Sequence, residues 1–141
     1  MRIDATFLRR CIISLERAFQ EIERHGTEDA VLYDIYRAAC VKEFELVLEQ
    51  SGKLLRKRLA PYFASNRAAY RLHFKDLFRR AAQHDLIDCE AVERWLSYRD
   101  NRNDTVHDYG EEFAEATLKL LPTFIPDARG LADMIETPFD D

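Results

Sequence analysis

Apolar side chains recur every three or four residues along most of this 141-residue chain, the spacing of helices that each bury one stripe. Over residues 4–25 the stripe is Leu8, Cys11, Ile12, Leu15, Phe19 and Ile22. His25-Gly26 closes it, glycine being the residue best suited to a left-handed stop. Thr27 is placed to cap the next helix, with Glu28 and Asp29 favourable in its first turn. That second helix is predicted over residues 28–59. Its first two-thirds carry Val31, Leu32, Ile35, Tyr36, Ala39, Val41, Phe44, Val47 and Leu48, apolar over so wide an arc that a central place in a bundle is expected. Gly52 costs roughly 1 kcal/mol of helix propensity against alanine and is expected to mark a bend. Beyond it Leu54, Leu55 and Leu59 keep one stripe, while Lys53, Arg56, Lys57 and Arg58 face water.

Pro61 to Asn66 reads as a connection. A third helix is predicted over 69–84 with Leu72, Leu77, Phe78 and Ala81 inward. Asp88 can cap a fourth over 89–107, anchored by Val92, Trp95 and Leu96. A fifth begins near Glu111 with the stripe Phe113, Ala116, Leu120 and Phe124. Pro122 and Pro126 should kink or split it before Leu131, Met134 and Ile135, because proline removes a backbone donor and clashes with the preceding turn. The acidic tail from Thr137 is expected to fray. Neither an alternating strand pattern nor an internal repeat is seen. The prediction is an all-α, antiparallel up-down bundle of about five helices, four long plus a kinked C-terminal one, in a single domain spanning 1–141.

Composition narrows the class. Hydrophobic content of 47% with 33% charged residues is that of a globular protein rather than a disordered one. Cys11, Cys40 and Cys89 are odd in number, far apart and set in helical stretches, which favours small buried thiols over a disulfide framework or zinc site. The amino terminus lacks the apolar run of a signal peptide, and no window approaches roughly 18 uninterrupted apolar residues, so a cytoplasmic location without a membrane span is expected. A glycine-rich phosphate loop is missing too, so no P-loop or Rossmann nucleotide cofactor is expected.

The net charge of −5 argues against binding nucleic acid through bulk positive charge, but the charge is unevenly distributed. Residues 51–80 carry 9 basic and 1 acidic side chains, whereas residues 81–141 carry 5 and 15. The basic block could touch RNA phosphates or an acidic partner. The plainer reading, ranked first because the overall charge is negative, is that it neutralises the acidic half within the same fold or dimer.

Chemistry concentrates in Arg102-Asn103-Asp104-Thr105-Val106-His107-Asp108-Tyr109. Arginine holds phosphate and histidine moves protons near neutral pH. On a regular helix positions 102 and 109 lie about 20° apart and 103 and 107 about 40°, but 102 and 107 diverge by about 140°. A straight helix in one chain therefore does not bring Arg102 and His107 to one small substrate. Either the helix bends or ends near residue 105, or the site is assembled across a two-fold axis, which is the reading favoured here. Asp100, Asp104 and Asp108 recur every four residues, and Asp104 with His107 could hold a metal; a solvated acidic stripe is the preferred reading, and no metal is expected. His25, His73 and His84 lack convincing partners and are expected on the surface, and Trp95 and Phe44 in the core.

The pattern Arg-Asn-x-x-x-His-x-Tyr near the end of a penultimate long helix resembles the HEPN family (higher eukaryotes and prokaryotes nucleotide-binding domain). More closely it resembles the branch of nucleotidyltransferase substrate-binding proteins, encoded beside minimal nucleotidyltransferases as toxin–antitoxin pairs. Ala38-Ala39-Cys40-Val41-Lys42-Glu43-Phe44-Glu45-Leu46 is similar to the family's phenylalanine–glutamate stretch on its second helix. Lys75-Asp76-Leu77-Phe78-Arg79-Arg80-Ala81 through Leu86-Ile87-Asp88 is similar to its third-helix signature. Gln50-Ser51-Gly52 departs from the tryptophan–lysine pair found in many relatives.

The resemblance implies a homodimer in which Arg102 and His107 cleave RNA without a metal. Arg102 would hold the scissile phosphate, and His107 would serve in proton transfer. Asn103 would orient the histidine or the phosphate. Tyr109 matches the tyrosine that a partner nucleotidyltransferase adenylylates in some members, silencing the toxin. The alternative the resemblance leaves open is a non-catalytic subunit that binds a nucleotide or a nucleotidyltransferase partner.

Overall fold

The computed structural model describes residues 2–103 and 110–138, the side chains of Asn66, Arg102 and Asn103 excepted. It is a helical bundle, as the periodicity predicts. Six α-helices follow in order: α1 (Thr6–His25), α2 (Ala30–Leu59), α3 (Asn66–Tyr70), α4 (Phe74–Gln83), α5 (Cys89–Asn103) and α6 (Glu111–Glu136), with a 3-10 turn (Ala60–Tyr62) after α2. Gly26 ends α1 at φ +58°, its N–H donating to the Ile22 carbonyl at 2.7 Å, so the predicted stop is real. The cap of α2 is Asp29 rather than Thr27. Its carboxylate accepts from the N–H groups of Val31 and Leu32 at 3.0 and 3.2 Å. Asp88 caps α5 as predicted, accepting from Ala91 at 2.7 Å.

Cross-helix contacts set the directions. Arg9 pairs with Asp133 and Glu136, and Glu16 with Arg129, so α1 and α6 run antiparallel. Tyr33 meets Glu115 and Phe44 meets Phe124, so α2 and α6 run the same way. Arg94 with Asp127 and Asn101 with Thr117 make α5 antiparallel to α6. At the centre Trp95 stacks on Phe78 with centroids 4.7 Å apart and meets Tyr98 and Phe124 edge-on at 5.5 and 5.6 Å. Both Trp95 and Phe44 are buried, as their place in the apolar stripes predicts. α6 continues as one element through Pro122 and Pro126 rather than splitting. Buried residues on both sides of the prolines (Leu118, Leu121, Phe124, Ala128, Leu131) hold it against its neighbours.

Further expectations change, among them the exposure of Arg58, which is buried at the end of α2 instead of facing water. The third helix divides: α3 ends at Tyr70 and α4 begins at Phe74. The guanidinium of Arg56 donates to the Ala69 and Leu72 carbonyls at 3.3 and 2.8 Å, satisfying groups that a continuous helix would have bonded internally. Gly52 lies inside an unbroken α2, where a Cβ would meet the Phe74 ring at 3.0 Å. The glycine admits α4 rather than bending α2. The first turns of α2 are not central, since Val31 and Ile35 are 68% and 55% exposed. Tyr33 turns toward α6, and the arc about 160° round the helix stays open. Finally, Cys11 and Cys40 are buried but Cys89, at the exposed start of α5, is not. Burial pushes the Cys40 thiol up to about 12. Among the described residues no helix is long and apolar enough to cross a membrane.

Candidate functional site

Residues 104–109 join the end of α5 to the start of α6, so those two helices present the motif. Arg102 and Asn103 are the final described residues of α5. His107 and Tyr109 lie outside the described residues, together with Asp104 and Asp108 of the acidic stripe. The described parts of α4, α5 and α6 form a frame around the motif.

That frame is tied down residue by residue. The three residues before Arg102 each have a partner on α4 or α6. Arg99 lies over the Phe74 ring, 5.3 Å from its centroid. Asp100 pairs with Lys75 of α4. Asn101 donates to Thr117 Oγ1 at 3.1 Å, and that buried hydroxyl donates in turn to the Phe113 carbonyl. One turn earlier, Tyr98 donates to Asp127 at 2.6 Å, and Asp127 receives Arg94 through two N–H groups at 2.8 and 3.0 Å. Burial first, then the Asp127 carboxylate, raises the Tyr98 phenol far above its ordinary range, so Tyr98 is a fixed donor and not an acid at neutral pH.

On the other flank, Gly110 starts α6 in an extended conformation, with Glu111 and Glu112 in the first turn, where carboxylates complement the helix dipole. The Glu115 carboxylate accepts the Tyr33 hydroxyl at 2.5 Å and faces Arg37 at 3.9 Å. Burial and that carboxylate together raise the Tyr33 phenol. Sequence reasoning placed neither Asn101–Thr117 nor Tyr33–Glu115–Arg37 near the motif. Both pairs join residues far apart in the chain, and periodicity carries no information about such pairs.

Two clefts open beside this frame. One of about 370 Å³ lies between α2 and the start of α6, with Arg37, Val41, Lys42, Gly110 and Phe113 among its walls. The other, about 800 Å³, lies between α5 and α6 and is walled by Asp100, Glu111, Glu112 and Glu115 with Lys119. The second presents a carboxylate field that repels a phosphodiester. Among the described residues no group of three His, Cys, Asp or Glu side chains is placed to hold a metal ion.

Residues 4–137 match the family described as nucleotidyltransferase substrate binding protein like. The chain belongs to that family. The chain is 26% identical over 137 residues to a probable ribonuclease HepT of Haemophilus influenzae, covering 95% of this chain and 92% of the relative. It also superposes on a solved Haemophilus influenzae structure described as showing the fold of a substrate binding domain of a nucleotidyltransferase. That match has a TM-score of 0.81 and 26% identity, with 94% of this chain and 98% of the other covered. The HEPN resemblance drawn from the motif and the two flanking stretches is thus met over nearly the whole chain.

Proposed function

We propose that this protein is the toxin of a HEPN–minimal nucleotidyltransferase pair: a homodimeric, metal-independent endoribonuclease of the cytoplasm, silenced when the partner adenylylates Tyr109. The observation that carries the reading is the Arg102…His107…Tyr109 pattern, set between two helices whose flanking residues are individually anchored. The similarity to a protein named as a probable ribonuclease supports it. In this reading His107 takes the proton from a ribose 2′-hydroxyl, and the resulting oxygen attacks the adjacent phosphorus. The bond from phosphorus to the 5′-oxygen breaks as the protonated His107 of the second copy gives its proton to that oxygen, leaving a 2′,3′-cyclic phosphate and a 5′-hydroxyl. Arg102 holds the phosphate and balances the charge that grows on it, and Asn103 orients the pair. A nucleotide carried on Tyr109 would block phosphate entry by bulk and by repulsion.

The open face of α2 at Val31 and Ile35, beside the 370 Å³ cleft and Gly110, is where a second copy would sit and double the motif. Purified protein should cleave RNA with chelator present, and His107→Ala should abolish cleavage. Cleavage that needs a metal, or that survives the substitution, refutes the nuclease. A monomer in light scattering refutes the two-fold site.

A second reading, favoured by the likeness to a nucleotidyltransferase substrate-binding domain, is a non-catalytic subunit that docks the nucleotidyltransferase. Intact-mass analysis after co-expression with such a partner separates the two. Adenylate on Tyr109 without any RNA cleavage would favour the docking subunit.

A further inference from the structure

Among the described residues, the basic block of residues 51–80 makes a single ion pair with the acidic half of the chain, Lys75 with Asp100. The C-terminal carboxylates find their partners elsewhere: Asp127 on α5, Asp133 and Glu136 on α1, Glu115 on the first half of α2. From the block, Lys75 reaches Asp100, and Arg79 pairs only locally with Asp76. Arg56 is committed to the Ala69 and Leu72 carbonyls. Lys53, Lys57, Arg67 and Arg71 are exposed and form no ion pair among the described residues.

These cations share one end of the bundle. Arg56 fastens α3 to the last third of α2, which brings Arg67 and Arg71 beside the turn carrying Lys53. Tyr70 lies among them, 68% exposed, with the Arg56 guanidinium 5.9 Å from its ring centroid. From there α4 leads to the motif: Phe74 packs on Gly52 and under Arg99, and Lys75 holds Asp100, two residues before Arg102. The cleft between α5 and α6 is acidic, whereas the α3–α4 side carries exposed cations.

We propose that Lys53, Arg67, Arg71 and Tyr70 form an exosite for single-stranded RNA, the cations tracking its phosphates and Tyr70 stacking on a base. An acidic protein surface would be satisfied by the cations alone. An exposed aromatic ring backed by a guanidinium adds what a nucleobase uses. The proposal rests on the nuclease reading only for the choice of RNA as the polymer.

The test is binding of a labelled single-stranded 2′-O-methyl oligonucleotide, which cannot be cleaved because its nucleophile is blocked, with inorganic polyphosphate as the base-free comparison. The Lys53→Ala/Arg67→Ala/Arg71→Ala variant should bind the oligonucleotide at least about tenfold more weakly. Its log affinity against log salt should be shallower by roughly two. Tyr70→Ala should lose about fivefold or more on the oligonucleotide and nothing on polyphosphate, while Tyr70→Trp restores binding. Should Tyr70→Ala melt early, the triple variant decides alone. Unchanged affinity in the triple variant overturns the proposal. So does an equal loss on both polymers for Tyr70→Ala. Retained oligonucleotide binding with lost capture of a co-expressed nucleotidyltransferase would assign the face to that protein instead and also overturn it. Intact binding with no cleavage of ordinary RNA removes the nuclease reading and leaves the exosite standing.

Discussion

The two ends of the charge distribution are treated in opposite ways. In α5 and α6 the carboxylates are built in: Asp127 is half of a two-bond arginine pair and takes a tyrosine hydroxyl, and Glu115 is held by Tyr33. At the far end of α2 and around α3, Lys53, Lys57, Arg67 and Arg71 stand exposed without an ion pair among the described residues. Paired, partly buried charges hold helices in register. Unpaired exposed charges contribute little to folding and remain available to a ligand. The difference separates side chains that hold α5 and α6 around the motif from side chains left exposed to solvent.

Substitutions can break that contrast, beginning with the packed side. Trp95→Ala removes the ring shared by Phe78, Tyr98 and Phe124 and should cost about 3–5 kcal/mol in urea unfolding. Asp127→Ala leaves the Arg94 guanidinium and the Tyr98 hydroxyl without their acceptor, an expected loss of about 2 kcal/mol by the same measurement. A loss under about 0.5 kcal/mol would mean that the pair is decoration. Gly52→Leu drives a side chain into the Phe74 ring and should cost about 1–3 kcal/mol.

Alkali probes the same buried groups. Cys40 and Tyr98 hold their protons more tightly when folded than when unfolded. Their contribution is therefore complete below the ordinary thiol and phenol values and declines as pH climbs past about 9 toward 12. Melting temperature should fall over that window, and less steeply in Cys40→Ala; an identical slope would exclude the thiol as a cause. On the unpaired side, Lys57→Ala and Arg67→Ala should each change stability by under about 0.5 kcal/mol. A larger loss there would show that these cations have folding partners after all.

Legibility in the sequence followed the range of each interaction. The stop at Gly26, the cap at Asp88 and the burial of Trp95 and Phe44 were readable, because caps and stripes depend on residues within a turn or two. The Thr27 cap was misplaced by two residues because Ser, Thr, Asp and Asn compete for the same role, and only the observed hydrogen bonds choose Asp29. The divided third helix was not readable, since the group that stabilises the break, Arg56, comes from another helix. The motif Arg102–Tyr109 was legible as chemistry. Its supports, Lys75, Phe74 and Thr117, were not, because nothing local distinguishes them from any other lysine, phenylalanine or threonine.

By itself, then, the sequence determined that this chain is helical and where most helices start and stop. Those properties follow from backbone propensity, capping and the 3.6-residue period, all of which act over a few residues. Tertiary structure alone decided that Gly52 is a contact point rather than a bend, that the face at Val31 and Ile35 stays open, and that Glu115, Asp127 and Asp133 of α6 pair with cations of α2, α5 and α1. Those outcomes depend on which surfaces meet, and a charge or an apolar stripe does not name its partner until the helices have packed.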